Sequence, residues 1–428
     1  MVRKTVIFIF LISFWNCNST LAYGFDKAAA FFDEIKSATA KNRELWGIDI
    51  YGPVLLVVPE TRAVIANVAA SSESLKQKGQ IFTGRLPEDI GIANTCVNWE
   101  GKNWAMIILP LPEKKSERIN LLTHELFHCS QARLGFTAHN PSNTHLDEKE
   151  GRIFLRMELE ALKKAIASNA LPERKGHLTS AFTFRKYRQS MFENAKKEEN
   201  FLELNEGLAE YTGVIMSARS NSEMQEHLTS RISDITSNPS FVRSFAYETT
   251  PAYGYLLSGI NKNWQTDISR NENLTEYFQK AFQIQPITLE NNLLVEQTNR
   301  YNGAVIYEEE NLRDEKIKRL KREYTNKFVK GSHLKISLEN MKISFDPRNL
   351  IPLGQYGIVY PNLRITDTWG ILTVENGALL SASWDKVSIT KPTKVTSKQA
   401  LGDGWTLEIT DGYFIKQDRE NNYILLPQ

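Results

Sequence analysis

The chain has 428 residues, 41% of them hydrophobic, and its 52 Lys and Arg against 50 Asp and Glu leave a net charge near +2. A globular chain of this length buries at least one large core and has room for two domains. The near balance of charge removes any general electrostatic reason to bind nucleic acid or an anionic membrane.

Arg3 and Lys4 precede an apolar run from Val6 to Trp15, and small residues, Thr20 and Ala22, follow at the −3 and −1 places of a cleavage site. The run is about half of a membrane span. It is expected to be a signal peptide over 1–22, with an uncleaved anchor as the alternative, so the mature chain is expected to be secreted or periplasmic and to keep no membrane span. Cys17 follows Phe14, Trp15 and Asn16, which are not the small residues of a lipid-attachment box. Removing the leader leaves Cys96 and Cys129, expected either as one disulfide or as two buried thiols.

Helical spacing over Phe25 to Lys41 precedes a strand at Tyr51 to Pro59. Two β-prone runs, Ile92 to Asn98 and Asn103 to Leu109, flank Trp99-Glu-Gly-Lys102 and predict a hairpin, whose second strand is either a sheet edge or an interior strand. Helical text then runs from about Ser116 to Lys321 and ends in a charged stretch, Glu308 to Glu323. Beyond Phe328 short alternating runs separated by Asp346-Pro347, Asn376-Gly377 and Asp411-Gly412 predict an all-β domain, sandwich-like. The expected fold is α+β: residues 23–325 as a mainly helical domain with a small N-terminal sheet, and 326–428 as the β domain.

The stretch Thr123-His-Glu-Leu-Phe-His-Cys-Ser-Gln131 carries H-E-x-x-H. Residues four apart share one helical face, so His124 and His128 can grip one ion. Chance is a weak competitor: with 7 His and at most 50 acidic residues in 428, about 0.01 such matches arise per chain. Ser116 is a plausible N-cap for this helix and Gly135 a plausible stop.

A catalytic zinc needs a third protein ligand. Two carboxylates compete for the place. Glu206 and Glu210 share a stripe on an otherwise apolar helix and need a cation nearby; Glu158 interrupts the apolar face formed by Phe154, Ala161, Leu162 and Ala165. Glu158 has a bland alternative as the partner of a basic group, and the Glu206 pair one as a solvated stripe.

His124-Glu-Leu-Phe-His128 followed by Asn205-Glu-Gly-Leu-Ala-Glu210 resembles the gluzincin metallopeptidases. That resemblance implies a zincin-like domain with Zn2+ held by His124, His128 and Glu206, Glu210 orienting a ligand histidine, and Glu125 as general base toward a peptide or protein substrate. The gap between His128 and Glu206 is longer than in the better-known members. No G-x-M-E-N string accompanies the motifs, so aminopeptidase activity is not implied. Tyr247, Tyr253 and Tyr255 are candidate oxyanion donors by position alone. His139, His145, His177, His227 and His333 lack ligand spacing and are expected to be surface or structural. The competing expectation is a non-catalytic binding or cell-envelope protein that keeps the helix as scaffold; the intact Glu125 favours hydrolysis, since a scaffold needs no base.

Overall fold

The computed structural model describes residues 13–137, 139, 141–268, 272–289, 291–345 and 350–428. The first half of the expected leader and the Asp346-Pro347 turn lie outside the described residues. No described helix is long and apolar enough to cross a membrane. The chain divides into two compact units, Met1–Ala304 and Val305–Gln428.

The first unit is mixed α and β. After α1 (Ser13–Lys41) come β1 (Val54–Val57), β2 (Ala63–Ala66), β3 (Leu75–Lys78), β4 (Ile81–Arg85), β5 (Thr95–Trp99) and β6 (Lys102–Ile108). They form one sheet in the order β3-β4-β2-β1-β6-β5, in which β1 and β6 are the parallel pair. Val-Leu-Leu-Val in β1 is buried throughout, and the strand is interior, paired with β2 on one side and β6 on the other. The hairpin of β5 and β6 turns on Glu100 and Gly101, both at positive φ, as a two-residue connection requires. Thus β6 is interior, and β5 is the edge. The short strands β2 to β4 were not expected.

Helices follow: α2 (Lys115–Leu134), α3 (Lys149–Ala167), α4 (Leu171–Met191), α5 (Ala195–Leu202), α6 (Leu208–Met216), α7 (Asn221–Asp234), α8 (Ala246–Ser258), α9 (Leu274–Phe282), α10 (Asn291–Asn299) and α11 (Gly303–Thr325). Ser116 does not cap α2, which begins after an extended Lys114 with no side-chain cap; Gly135 does close it, at φ 89°. A disulfide joins Cys96 on β5 to Cys129 on α2, with Cα atoms 5.2 Å apart, and so ties the edge strand to the motif helix. Ser220 and Glu223 start α7 as a reciprocal capping box.

The second unit begins within α11. Beyond it, described strands form a seven-stranded and a six-stranded sheet. Their inner faces share one core, Leu334, Ile336, Val387 and Ile389 from one sheet against Ile365, Leu372, Leu407 and Ile409 from the other. This is the alternation anticipated from the sequence.

Candidate metal centre

Three elements build the site. His124 and His128 lie one turn apart on α2, and Glu206 sits in a single π-helical turn, Glu203–Gly207, that joins α5 to α6. Such a turn inserts one residue into the helical ladder and re-aims the side chains that follow. Close approach is made possible by glycines: a Cβ on Gly213 would fall 2.6 Å from the Asn120 side chain on α2, and one on Gly207 would fall 2.2 Å from Thr250 Oγ1 on α8.

Hydrogen bonds settle which ring nitrogens are free. His124 Nδ1 lies 2.9 Å from Glu210 Oε2, a carboxylate that can only accept, so Nδ1 carries the proton. Gln131 donates its amide to both Asn205 O and Asn205 Oδ1 at 3.0 Å, which turns its Oε1 toward His128 Nδ1, also at 3.0 Å. His128 Nδ1 is therefore a donor too. In that tautomer neutral rings would direct their Nε2 lone pairs at each other, 3.1 Å apart, and at Glu206 Oε2, 3.6 and 3.4 Å away.

Three electron pairs converging in this way repel unless a cation lies among them. The edges of a tetrahedron with metal–ligand bonds of about 2.0–2.1 Å are about 3.3–3.4 Å long, and the three distances bracket that length. Among the described residues these three form the one group able to hold a metal. In the metal-free site a proton is the substitute: burial opposes charge on His124, but Glu206 and Glu210 outweigh it and raise its pKa to about 10. Burial likewise pushes Glu206 up, yet hydrogen bonds from His124, His128 and Tyr247 hold it well below the usual carboxylate range.

The surroundings fix these groups. Glu210 Oε1 accepts from Arg231 Nη1 at 2.9 Å and from Asn120 Nδ2 at 3.3 Å, and Arg231 turns its other two donors to Glu248. Tyr247 Oη donates to Glu206 Oε2, and its ring stacks on His124 with centroids 5.5 Å apart. Arg243 Nη2 reaches Glu206 Oε1 at 3.3 Å.

Glu125 is 5% exposed and its Oε2 has no hydrogen-bond partner. Burial pushes its carboxyl up against the pull of His124 and His128. It lines a cleft of about 440 Å3 together with His124, Tyr247 and Asn120.

No known protein family matches this chain, and neither a characterised protein nor a solved structure matches it.

Glu158, the competing ligand, is elsewhere. It accepts from Arg185 Nε and Arg188 Nη1, both at 2.7 Å, and from Tyr253 Oη at 2.9 Å, in a fully buried network that also takes in Glu199 and Glu203. Tyr253 is thus spent on the core. Tyr255 is not among the residues that line the cleft. His145 pairs with Glu199, His177 with Tyr301, His139 stacks on Phe201, and His333 meets Gly331 O. His227 lines the cleft, with Nε2 buried and unpartnered. Asn120 and Gln131 were open to sequence reasoning, four residues before His124 and three after His128 on one helix. Arg219, His227 and Arg231 carry no such signal, because only tertiary packing brings them to α2.

Proposed function

We propose that this chain is a zinc-dependent metallopeptidase with a zincin-like catalytic domain of the gluzincin kind in its first unit. The observation that carries the proposal is the convergence of His124 Nε2, His128 Nε2 and Glu206 Oε2 at tetrahedral edge lengths, beside a buried carboxylate with a free oxygen. Three protein donors leave a fourth position open, which distinguishes a catalytic zinc site from a closed structural one. Zinc bound there would polarise a carbonyl and lower the pKa of a water toward about 7.

The chain's own residues do the rest. Glu125 is one residue from a ligand but faces the cleft, so it serves as base, taking a proton from the attacking water and returning it to the leaving amine. Glu210 and Gln131 hold the two histidines in the tautomer that presents Nε2. Burial and Glu206 keep Tyr247 protonated, and it stays a donor at the wall of the cleft. The edge strand β5, stapled to α2 by the disulfide, offers an unpaired backbone along which an extended peptide can add.

The test is metal content and peptide hydrolysis of the full chain. Wild type should carry about one zinc per chain. Glu206→Ala should lose the metal, while Glu125→Gln should keep it and lose hydrolysis by a factor on the order of 10²–10⁴. Zinc-loaded wild type that cleaves no member of a broad peptide library would favour the non-catalytic binding protein.

A further inference from the structure

The cleft beside Glu125 extends along α2 toward its N-terminus, past Leu121 to Asn120 and Glu117, and its opposite wall is Arg219, His227 and Arg231. Three cationic or protonatable side chains on one wall call for an account of what neutralises each.

Arg231 is neutralised by protein. Its Nε and Nη2 go to Glu248 and its Nη1 to Glu210. Arg219 is not. Its Nη1 donates to Asn120 Oδ1 at 3.1 Å and to Ser217 Oγ at 2.7 Å, which fixes the guanidinium plane, and among the described residues no acceptor engages its Nε or Nη2. Ala218 before it has φ 59°, a left-handed turn that leads the chain from α6 into α7. His227, on the first half of α7, adds a buried Nε2 with no partner. The acidic groups that act on Arg219 are already committed or exposed: Glu210 is taken by His124, Arg231 and Asn120, the exposed Glu223 accepts from Ser220, and Glu117, at the mouth, lies 4.0 Å from Lys114.

An anchored guanidinium with two nitrogens free of acceptors, on the same cleft wall as an imidazole nitrogen that is buried and unpaired, is costly unless an anion completes it. A carboxylate matches both, since its two oxygens can accept from the planar fork and from an imidazole N–H. We propose that Arg219 and His227 form an anion subsite that seats a carboxylate of the substrate next to the bond attacked with Glu125 as base. The inference rests on the peptidase reading and names its substrate class: peptides with a negative group close to the scissile bond. That group is either an Asp or Glu side chain or the free C-terminal carboxylate. Burial, Arg219 and Arg231 push the pKa of His227 down to about 4, so at neutral pH it meets the substrate uncharged, and the tautomer with the proton on Nε2 supplies the donor.

The experiment has a cleavage arm and a binding arm, both on the zinc-loaded full chain. In the first, matched peptides differ only in Glu against Gln at each position around the cleaved bond, or in a free against an amidated C-terminus. Wild type should prefer the charged member by a factor on the order of 10–100 in kcat/KM, as expected of a charge-assisted hydrogen bond. That ratio should collapse in Arg219→Gln and in His227→Gln and be partly restored by Arg219→Lys, which keeps the charge. A preference tied to Glu identifies an acidic side chain, and one tied to the free terminus a C-terminal carboxylate.

In the second arm, glutarate is titrated against glutaramide while the histidine side-chain signals are followed by NMR, with His227→Gln assigning the resonance. Glutarate should raise the His227 pKa, and Arg219→Gln should abolish the shift. No peptide cleaved but the glutarate shift present and dependent on Arg219 would sink the peptidase reading and leave the anion subsite standing. Peptides cleaved with equal efficiency whether charged or neutral, and a His227 signal indifferent to glutarate, would overturn the subsite and leave the peptidase reading intact.

Discussion

Glu158 and Glu206 are one residue type, buried in one domain, in two different settings: Glu158 lies among arginines and Glu206 beside two histidines. Glu158 is matched by Arg185 and Arg188, and Glu199 by Arg188 and His145. Glu158→Ala should leave two buried guanidinium groups short of an acceptor and cost about 3–5 kcal/mol in urea unfolding, while protein that folds keeps its metal. The same network predicts the acid limb. Burial pushes the Glu199 carboxyl up, but Arg188 outweighs it and holds the group well below its usual range. Below about pH 4.3 the unfolded chain therefore binds protons that the folded chain refuses. The Glu199 contribution to stability is fully present above that pH and is lost progressively as pH falls below it toward the depressed folded-state value; a urea midpoint unchanged from pH 6 down to 3 would contradict this. The two carboxylates looked alike in the sequence because each interrupts an apolar helical face. A wheel displays burial but not the sign or source of the compensating charge. The H-E-x-x-H pair was legible because spacing of four fixes a shared face, whereas Arg219, His227 and Arg231 reach the site through the fold alone.

At the scale of elements the site depends on one irregular turn. The π-helical turn at Glu203–Gly207 aims Glu206 at α2 and packs Gly207 against α8, which carries Tyr247. A Cβ at position 207 would lie 2.2 Å from Thr250 Oγ1, 2.7 Å from Thr250 Cβ and 3.2 Å from Ala246 O, so α8 must move outward and take the Tyr247 hydroxyl from Glu206. Gly207→Ala should thus cost about 1–3 kcal/mol in stability and weaken zinc by a factor of about 10–100 in chelator competition, as loss of a ligand's supporting partner does. Unchanged affinity would mean that α8 does not position the ligand. The turn was invisible in the sequence, because a π turn differs from an α turn by one residue in a hydrogen-bond ladder and has no residue code. The strands β2 to β4 escaped for another reason: they are four or five residues long, and β3, Leu-Lys-Gln-Lys, buries only its first side chain. The β5–β6 hairpin and the helix α2 were readable because a glycine turn and a glycine stop punctuate them.

At the scale of the whole molecule, two cores of different kinds divide the chain. The sequence placed the division near 325, since the charged run of α11 looked like a connector closing the helical part; the compact units instead meet between Ala304 and Val305. The reason lies at the helix's end, where Tyr324 stacks on Phe328 and joins Leu353, Val359 and Leu379 in a small cluster of the second unit. A unit with its own core unfolds as its own cooperative step unless a large apolar interface couples it to its neighbour. Calorimetry of the full chain tests this: two transitions are expected where each core melts on its own. All the proposed zinc ligands lie in the first unit, and a site that only folding assembles would bind zinc in the folded state alone, so only one transition should respond to metal. At free zinc 1,000-fold above Kd the added stability is about 4 kcal/mol, which for a unit of this size raises its midpoint by about 5–8 °C. The other midpoint should stay in place. Glu206→Ala should remove the response without moving the second transition. A metal response in both transitions would mean that the stabilities of the two units are coupled, and a response in neither would remove the metal centre from which the peptidase proposal is built.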